Sequence, residues 1–362
     1  MSARLAMRGA DISSLMKSEA MGGRYFDAQG RERGALEILK DYGLNYARLR
    51  VWVNSPDGYH GLAQLLAMAR RLKALEIGLL VDFHYSDSWA DPGKQFKPAA
   101  WADLDFDGLQ RALYAHTREV CAALAAQGTP PQMVQVGNEI NHGLLWPDGK
   151  LEGADGFDRL AALLKEGARA VRETAPQARV MLHLAEGGNN PLFRGWFDAA
   201  AARGVDFDLI GASYYPYWHG SLADLQRNLD DVVARYNRDI VLVETAFPFT
   251  AADADGTENV MQFEDWQGCP ATPQGQRRML ADILDVLRAI PEGRCLGFFW
   301  WDATWTAVPG NGWDPADPSL GNNWENQALF DFSSRPLPAL ELFGGWNKSS
   351  FSGWVRSNRR ST

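Results

Sequence analysis

Two glutamates stand where short apolar runs end, and their positions are suited to acid–base chemistry. Glu139 follows the run at residues 133–136 within "VQVGNEINHG", directly after Asn138, and Glu244 lies near the end of "DIVLVET". Apolar runs bounded by glycine or polar residues indicate buried strands that end there. Two facing carboxyl groups can hydrolyse a glycosidic bond, because one protonates the departing oxygen while the other attacks the anomeric carbon or activates water. The alternative is two glutamates in separate ion pairs on a rim.

The two glutamates must differ in environment if they are to share this chemistry. The acid needs a raised pKa and the nucleophile a lowered one. Arg48 or Arg50, together with the hydroxyl of Tyr214 or Tyr215, is suited to keep Glu244 ionised. The sequence leaves open which arginine and which tyrosine point inward.

Polar and aromatic residues also end nearly all the other strand-like segments. Taken singly, each is explained as a capped strand end or a solvated rim residue. Taken together they indicate a functional site, because the carboxyl ends of parallel strands face one crevice. They are Asp11, Arg48, Arg50, Trp52, Asp82, His84, Asn138, His183, Tyr214, Tyr215, Trp300 and Trp301.

The elements that must position these residues alternate along the chain. Eight strand-like segments are "MRGADI", "NYARLRVWV", "IGLLVDFHY", "QMVQVGN", "ARVMLHLAE", "FDLIGASYY", "DIVLVET" and "CLGFFWWD". Amphipathic helical stretches lie at 31–42, 61–75, 107–126, 157–174, 192–202, 222–236 and 273–289, with a weaker one at 338–343. Eight βα units predict an α/β fold, a single (β/α)₈ barrel. An open doubly wound sheet is the alternative, which the lack of a G-x-G-x-x-G turn after the first strand disfavours.

Long loops follow strands 3, 7 and 8, at residues 86–103, 246–271 and 302–336, whereas the loops after helices are short. In such a barrel the loops after strands form the working face. We predict one catalytic (β/α)₈ domain over residues 1–345 and a C-terminal tail over residues 346–362.

Composition and charge narrow the classes of partner. The net charge of −9 and a pI near 5.2 disfavour nucleic acid and anionic membranes, whose binders concentrate Lys and Arg on one face. No apolar run approaches the roughly 20 residues of a membrane span, and the start of the chain lacks the apolar region of a signal peptide. We expect a monomer.

The cysteines are too few and too scattered for a disulfide scaffold or a zinc site. They are Cys121, Cys269 and Cys295. Cys121 lies in a helical pattern and is predicted to belong to the core. A bridge between Cys269 and Cys295 across a loop is one alternative that the sequence leaves open.

The chain has fourteen tryptophans, which is a high number. Sugar rings present flat C–H faces that pack on aromatic planes, so a groove lined by Trp is suited to an extended carbohydrate. We expect some of the loop tryptophans to line such a groove and the others to lie in the core. The loop tryptophans are Trp89, Trp101, Trp146, Trp218, Trp266, Trp305, Trp313 and Trp324.

Five segments resemble the signature stretches of the endo-β-1,4-galactanases, glycoside hydrolase family 53, within the large clan of retaining (β/α)₈ hydrolases. They are "DFHYSDSWADPGKQ", "VGNEINHGLLWPDG", "SYYPYWHG", "LVETAFPFT" and "WENQALFDF", and the resemblance covers residues 8–343. It implies cleavage, with retention, of internal β-1,4 bonds in galactan, the side chain of pectin and type I arabinogalactan. The chain departs from the pattern after the eighth strand, where the family more usually has Trp-Glu-Pro and this chain has "WWDATW".

The resemblance also implies a role for each matched residue. Glu139 is similar to the family's acid/base and Glu244 to its nucleophile. Asn138 would hydrogen-bond the 2-hydroxyl of the sugar at the cleavage point, and Trp301 would stack on that sugar. The remaining residues expected to bind or support the substrate are Asp11, Arg48, His84, Tyr215 and, at a more remote sugar, Trp89.

The loop after Glu244 contains "DADGTEN", which places Asp253, Asp255, Thr257 and Asn259 at alternating positions. This spacing lets oxygen ligands converge on a hard cation. The stretch resembles the D-x-D-x-x-x-N segment by which bacterial members of the family bind calcium, so the resemblance implies a structural Ca²⁺. The alternative is a solvated acidic turn.

Two other functions remain as alternatives to galactan hydrolysis. A relative from the same clan that acts on mannan, xylan or glucan would share the pair of glutamates. A non-catalytic sugar-binding barrel would keep the aromatic residues. The lack of a signal peptide leaves two alternatives, a cytoplasmic protein or a mature form. Because members of the family are typically secreted, the resemblance implies the second, with an extracellular or periplasmic location.

Overall fold

The eight apolar segments form a closed barrel. The computed structural model describes residues 5–344. The strands are β1 (Met7–Asp11), β2 (Tyr46–Val51), β3 (Gly78–Phe83), β4 (Met133–Val136), β5 (Arg179–Leu184), β6 (Leu209–Ser213), β7 (Asp239–Glu244) and β8 (Cys295–Trp300). Each strand is parallel to the next, and β8 pairs with β1. The predicted (β/α)₈ barrel is therefore confirmed.

Helices cover the outside of the barrel, as the amphipathic pattern predicts. They are α1 (Leu15–Ala20), α2 (Ala35–Asp41), α3 (Leu62–Ala74), α4 (Phe106–Ala126), α5 (Gly156–Thr174), α6 (Asn190–Ala202), α7 (Leu222–Tyr236) and α8 (Pro273–Ala289). Helix α1 was not predicted from the sequence. The weak helical stretch predicted at 338–343 is a 3₁₀ helix, Pro338–Gly344. Helix α2 begins later than predicted, because Glu32–Arg33 pairs with Tyr25–Phe26 in a hairpin.

Helix α5 shows how the sequence sets the packing around the strand that precedes Glu139. Its buried face includes Leu160, Leu164, Gly167 and Val171, which recur at the spacing of a single helix face. A side chain at Gly167 would lie 2.5 Å from Val136 of β4. The glycine therefore lets α5 pack closely on the end of β4.

The interior of the barrel has an apolar floor beneath a polar layer. Side chains along a strand alternate between its two faces, so residues two positions apart share the interior. On β3, β4 and β5 the floor residue is followed two positions later by Asp82, Gln135 and His183, which are buried. The floor consists of Met7, Leu80, Met133, Met181, Leu209, Val241, Val243 and Phe299.

The three cysteines are free and buried. Cys121 belongs to the core, as predicted. A bridge between Cys269 and Cys295, which the sequence left open, is not present. The two residues lie at opposite ends of α8, whose 17 residues span roughly 25 Å at about 1.5 Å per residue. A disulfide joins Cα atoms less than about 7 Å apart.

Among residues 5–344, no helix combines the length and apolar character required of a membrane-spanning segment. The predicted tail at residues 346–362 lies outside the described residues.

Candidate active site

Glu139 lies in a tight turn at the end of β4. Gly137 has a φ of 89° and Glu139 itself a φ of 47°, a left-handed conformation that costs energy for a residue with a side chain. The Glu139 backbone N–H donates to His183 Nδ1 at 3.3 Å, and its Oε1 accepts a hydrogen bond from Ser213 Oγ at 2.6 Å. These contacts hold the strained turn and fix the carboxyl group.

A chain of neutral side chains supports Glu139 from β4, β5 and β6. Gln135 Nε2 lies 2.8 Å from His183 Nδ1, and His183 Nε2 lies 2.8 Å from Ser213 Oγ. Because the Glu139 backbone N–H donates to Nδ1, we assign the proton of His183 to Nε2, from which it is donated to Ser213. Burial lowers the pKa of His183 well below its ordinary value, so the ring is neutral. Ser213 can therefore donate its own hydrogen to Glu139.

Glu244 occupies the end of β7, where the strand has an irregular register. Ala212 pairs with Leu242 but the next residue, Ser213, pairs with Glu244, so β7 carries one extra residue. Such a bulge re-aims the side chain that follows it. Arg48 Nη2 lies 2.8 Å from Glu244 Oε1, and the Tyr215 hydroxyl donates to Oε2 at 2.9 Å.

These contacts settle two alternatives that the sequence left open. Arg48, not Arg50, contacts Glu244, and Arg50 instead pairs with Asp302 at 2.8 Å. Tyr215, not Tyr214, donates to Glu244, whereas the Tyr214 hydroxyl donates to the carbonyl of Gly220. Both arginines are nevertheless buried inside the barrel.

Arg48 connects several of the predicted site residues. Its guanidinium lies 3.1 Å from Asp11, 2.8 Å from Asp82 and 2.7 Å from Asn138 Oδ1. The amide nitrogen of Asn138 donates to the carbonyl of Ala90 at 2.7 Å. Asp82 also lies 3.0 Å from His84 Nε2. The predicted residues Asp11, Arg48, His84, Asn138 and Tyr215 therefore belong to one network around Glu244.

The pKa of Glu139 is raised well above its ordinary value by burial and by the neighbouring charge of Glu244. The pKa of Glu244 is also raised by burial, although Arg48 and the Tyr215 hydrogen bond act in the opposite direction. The lowered pKa expected for Glu244 is therefore wrong, because burial outweighs the arginine. The pKa values of the two groups still differ, because only Glu244 is paired with Arg48, and Glu139 is the group that retains a proton at higher pH.

Carboxylate oxygens of Glu139 and Glu244 lie within 4.8 Å of each other. Retaining glycosidases have their two carboxyl groups about 5–5.5 Å apart, whereas inverting enzymes separate them by about 6.5–9.5 Å to admit a water. Oxygens this close favour the shorter separation, that of the retaining class.

Both glutamates line a cavity of about 420 Å³ with an aromatic wall. Trp89 stacks on Trp305 with 5.7 Å between ring centroids, and Trp301 packs edge-on against Trp324 at 4.7 Å. The guanidinium of Arg50 lies 4.2 Å from the Trp89 ring. Five of the predicted loop tryptophans line the cavity, namely Trp89, Trp218, Trp305, Trp313 and Trp324, together with Trp301. Trp101, Trp146 and Trp266 do not line it.

Comparison with known proteins agrees with this geometry. The pattern of glycosyl hydrolase family 53 matches residues 7–343. The chain belongs to glycosyl hydrolase family 53. An uncharacterized protein of Niallia circulans is 40% identical over 92% of each chain. An endo-beta-1,4-galactanase of Bacillus subtilis (strain 168) is 32% identical over 93% of this chain and 85% of its own length. The family 53 catalytic domain of Ignisphaera aggregans superposes with a TM-score of 0.88 at 40% identity, covering 93% of this chain and 95% of that one.

In this family 53 hydrolase the predicted calcium loop folds against the loop after β8. Carboxylate oxygens of Asp253, Asp255 and Glu325 lie within 4.8 Å of one another. Asn259 Oδ1 and Glu325 Oε2 are buried and have no hydrogen-bond partner among residues 5–344. Unpartnered buried oxygens beside two carboxylates fit the ligand preference of Ca²⁺. Thr257 Oγ1 already accepts a hydrogen bond from the Gly321 N–H at 2.8 Å.

Three residues of the family 53 site were not identified from the sequence. Gln135 and Ser213 support Glu139, and Glu325 joins the two aspartates. Gln135 could have been found from the alternation of β4, since it lies two positions after Met133 of the floor. Glu325 lies more than one element away from Asp253, and no local pattern connects them.

Proposed function

We propose that this protein is a retaining endo-β-1,4-galactanase that hydrolyses galactan and type I arabinogalactan. The observation that carries the proposal is the placement of Glu139 and Glu244, whose oxygens lie within 4.8 Å but whose hydrogen-bond partners differ in charge. The name of the Bacillus subtilis relative supports galactan as the substrate.

The proposed reaction has two steps. Glu139 gives its proton to the oxygen between two sugars while Glu244 attacks the anomeric carbon, which breaks the glycosidic bond and forms a glycosyl ester with Glu244. Glu139, now ionised, then removes a proton from water, and the resulting hydroxide displaces Glu244. Two inversions at the same carbon retain its configuration.

The surrounding residues have defined roles in this proposal. Arg48 and Tyr215 hold Glu244 in its ionised form for attack. Asn138, with one N–H directed to Ala90, has a second N–H for the sugar 2-hydroxyl. Trp301 forms the stacking surface for the sugar at the cleavage point, and Trp89 extends this surface. We place Asp11 and His84 in support of Arg48 and Asp82.

We also propose that Ca²⁺ binds the predicted ligands Asp253, Asp255, Thr257 and Asn259 together with Glu325, and that it holds this part of the β7 and β8 loops together. The cation would supply charge compensation for the carboxylates, not bond cleavage. The protein would act as a secreted monomer on a polysaccharide. A chain with this function needs no nucleic acid or membrane partner.

One panel of substrates tests the function. Reducing ends released from potato galactan should far exceed those from xylan, mannan and mixed-linkage glucan. Comparable release from one of the other polysaccharides would assign the protein to a different specificity within the clan. No release from any of them would favour a non-catalytic sugar-binding protein. Proton NMR of the first product should show the β-anomer.

A further inference from the structure

The turn that carries Glu139 contains two backbone carbonyl groups that require hydrogen-bond donors. They belong to Asn138 and to Glu139 itself, which are both buried. Within residues 5–344, no backbone N–H donates to either of these carbonyl groups. A buried carbonyl without a partner costs free energy, so the turn depends on a side chain to supply the hydrogen bonds.

Gln95, in the loop after β3, supplies them. Its side-chain Nε2 donates to the Asn138 carbonyl at 2.7 Å and to the Glu139 carbonyl at 3.3 Å. It also donates to the Asp91 carbonyl at 3.1 Å. Because all three neighbours are acceptors, the nitrogen of the amide faces them and not its oxygen. One side chain therefore satisfies both carbonyl groups of the turn.

Gln95 is itself fixed in place. Its side chain is buried, and its backbone carbonyl accepts from the Trp146 N–H at 2.6 Å. The residues before it form a tight turn, in which Asp91 and Lys94 exchange backbone hydrogen bonds of 3.0 Å. The Oε1 atom of Gln95 is buried and has no hydrogen-bond partner in the described part of the chain. Since an unpaired buried oxygen is unfavourable, packing alone does not explain an amide at this position.

Gln95 and the support from β5 and β6 hold the Glu139 turn from two sides. His183 and Ser213 contact Glu139 from β5 and β6, whereas Gln95 reaches the same turn from the loop after β3, and β3 and β5 flank β4. The φ of 47° at Glu139 is unfavourable for a residue with a side chain, and such a conformation persists only when its surroundings impose it. Without the Gln95 amide, the turn can relax and displace the Glu139 carboxyl group.

We propose that Gln95 is a positioning residue for the acid, because its amide fixes the backbone of Asn138 and Glu139 and so directs the Glu139 carboxyl group at the departing oxygen. This proposal rests on the proposed function. Gln95 does not line the active-site cavity, so it acts through Glu139 and not on the sugar. It follows that loss of the amide slows reactions that need a proton from Glu139 and spares reactions that do not.

The test compares two substrates that differ in their need for the acid. The departing sugar of galactan takes a proton from Glu139, whereas the phenolate of a 2,4-dinitrophenyl β-galactobioside leaves without one. For Gln95→Met, kcat/KM on galactan should fall by roughly ten- to a hundredfold, because the acid is displaced but still present. On the aryl substrate kcat/KM, which reports cleavage of the first bond, should change by less than about twofold.

Gln132→Met is the matched control, because Gln132 stands immediately before β4, at the end of the strand opposite to Glu139. There its Oε1 accepts from the Leu79 N–H, and the residue does not line the active-site cavity. The same substitution at this position should leave the ratio of the two kcat/KM values equal to that of the wild type, even if Tm falls. Gln95→Leu, which also lacks a donor, is a second variant in case Gln95→Met does not fold, and it should show the same selective loss.

Equal losses on both substrates in a folded Gln95 variant would overturn the proposal, because the glutamine would then support the fold and not the acid. No loss on either substrate would overturn it as well. A wild-type protein that cleaves another polysaccharide but not galactan would instead overturn the proposed function. The ratio measured with that polysaccharide and its matching aryl glycoside would still test Gln95. A wild-type protein that cleaves no glycoside would overturn both.

Discussion

Glu139 and Glu244 are the same residue type at the ends of two strands, yet their surroundings differ in kind. Glu139 is held by the neutral hydroxyl of Ser213, whereas Glu244 is held by the guanidinium of Arg48 and the hydroxyl of Tyr215. Burial raises the pKa of both groups. Arg48 makes an ion pair with Glu244 and none with Glu139. One charged partner can therefore give two buried carboxyl groups different proton affinities, which is the difference that the proposed acid and nucleophile require.

The largest expected effect comes from removing either carboxyl group. Glu139→Gln and Glu244→Gln should each lower kcat on galactan by ~10²–10⁴-fold, the typical contribution of a positioned acid or base, with Tm nearly unchanged. A variant that retains more than about a tenth of the wild-type activity, far above that range, would exclude the role given to its residue.

Azide distinguishes the two roles in the corresponding alanine variants. In Glu139→Ala, acting on an aryl β-galactobioside whose phenolate leaves without a proton, the covalent intermediate still forms, and an azide ion should replace water in the second step and give a β-glycosyl azide. In Glu244→Ala azide should attack the substrate directly and give the α-glycosyl azide. The opposite assignment of products would reverse the comparison between the two glutamates.

Tyr215→Phe should weaken the nucleophile selectively. The Tyr215 hydrogen bond lowers the pKa of Glu244, so its loss raises that pKa and moves the acidic limb of the kcat/KM profile to higher pH. A hydrogen bond to a charged group contributes roughly 1.5–3 kcal/mol, which corresponds to a tenfold or larger loss of rate. Tyr214→Phe is the control, because the Tyr214 hydroxyl donates to Gly220 instead. A shift of the alkaline limb alone would contradict the assignment.

Ser213→Ala should have a smaller effect, on the opposite limb. The Ser213 hydrogen bond lowers the pKa of Glu139, and without it the pKa rises further. Because Glu139 must be protonated in the first step, the alkaline limb of kcat/KM should move to higher pH while the acidic limb stays in place. Ser213→Thr, which keeps the hydroxyl, should restore the wild-type profile if the longer side chain fits, and Tm should be measured for both.

The smallest expected effect is on stability, and it comes from a third buried carboxyl group, that of Glu325. Burial and the nearby aspartates raise its pKa to about 7. Without a cation, a raised pKa means that stability is lost as pH rises from the unfolded value of about 4.3 through about 7. A cation present at about 100 times its Kd would contribute ~2.7 kcal/mol, a few degrees in Tm.

Chelation should therefore lower Tm more at pH 8 than at pH 5, and calcium should restore it better than magnesium, which requires stricter octahedral geometry. Glu325→Gln should abolish the response to chelator. An identical melting curve with and without chelator at pH 8 would show that residues 253–259 bind no calcium and form a solvated acidic turn.

The sequence predicted the barrel because its signals are local. An apolar run such as residues 133–136, or the amphipathic stretch at 222–236, can be recognised from neighbouring residues alone. The helix Leu222–Tyr236 has the predicted bounds. The two glutamates could be identified for the same reason, since each ends a run. Contacts between distant elements could not be read in this way.

Three examples show why. Arg48 and Arg50 both face the interior, so alternation alone could not tell which one contacts Glu244, and the choice depends on Asp302, two residues after β8. Glu325 meets Asp253 only because the loops after β7 and β8 fold together. The raised pKa of Glu244 likewise reflects burial that is a property of the closed barrel.

The cluster around Arg48 has a consequence for the charge of the site as a whole. Two guanidinium groups, those of Arg48 and Arg50, face the carboxyl groups of Asp11, Asp82, Glu244 and Asp302, so the polar layer above the apolar floor carries more negative than positive charge when these groups are ionised. A glycosyl unit that is losing its bond to the departing oxygen develops positive charge at the anomeric carbon. In the proposed reaction the interior of the barrel therefore acts as a counter-ion, fixed when the protein folds, for a cation that exists only during that reaction.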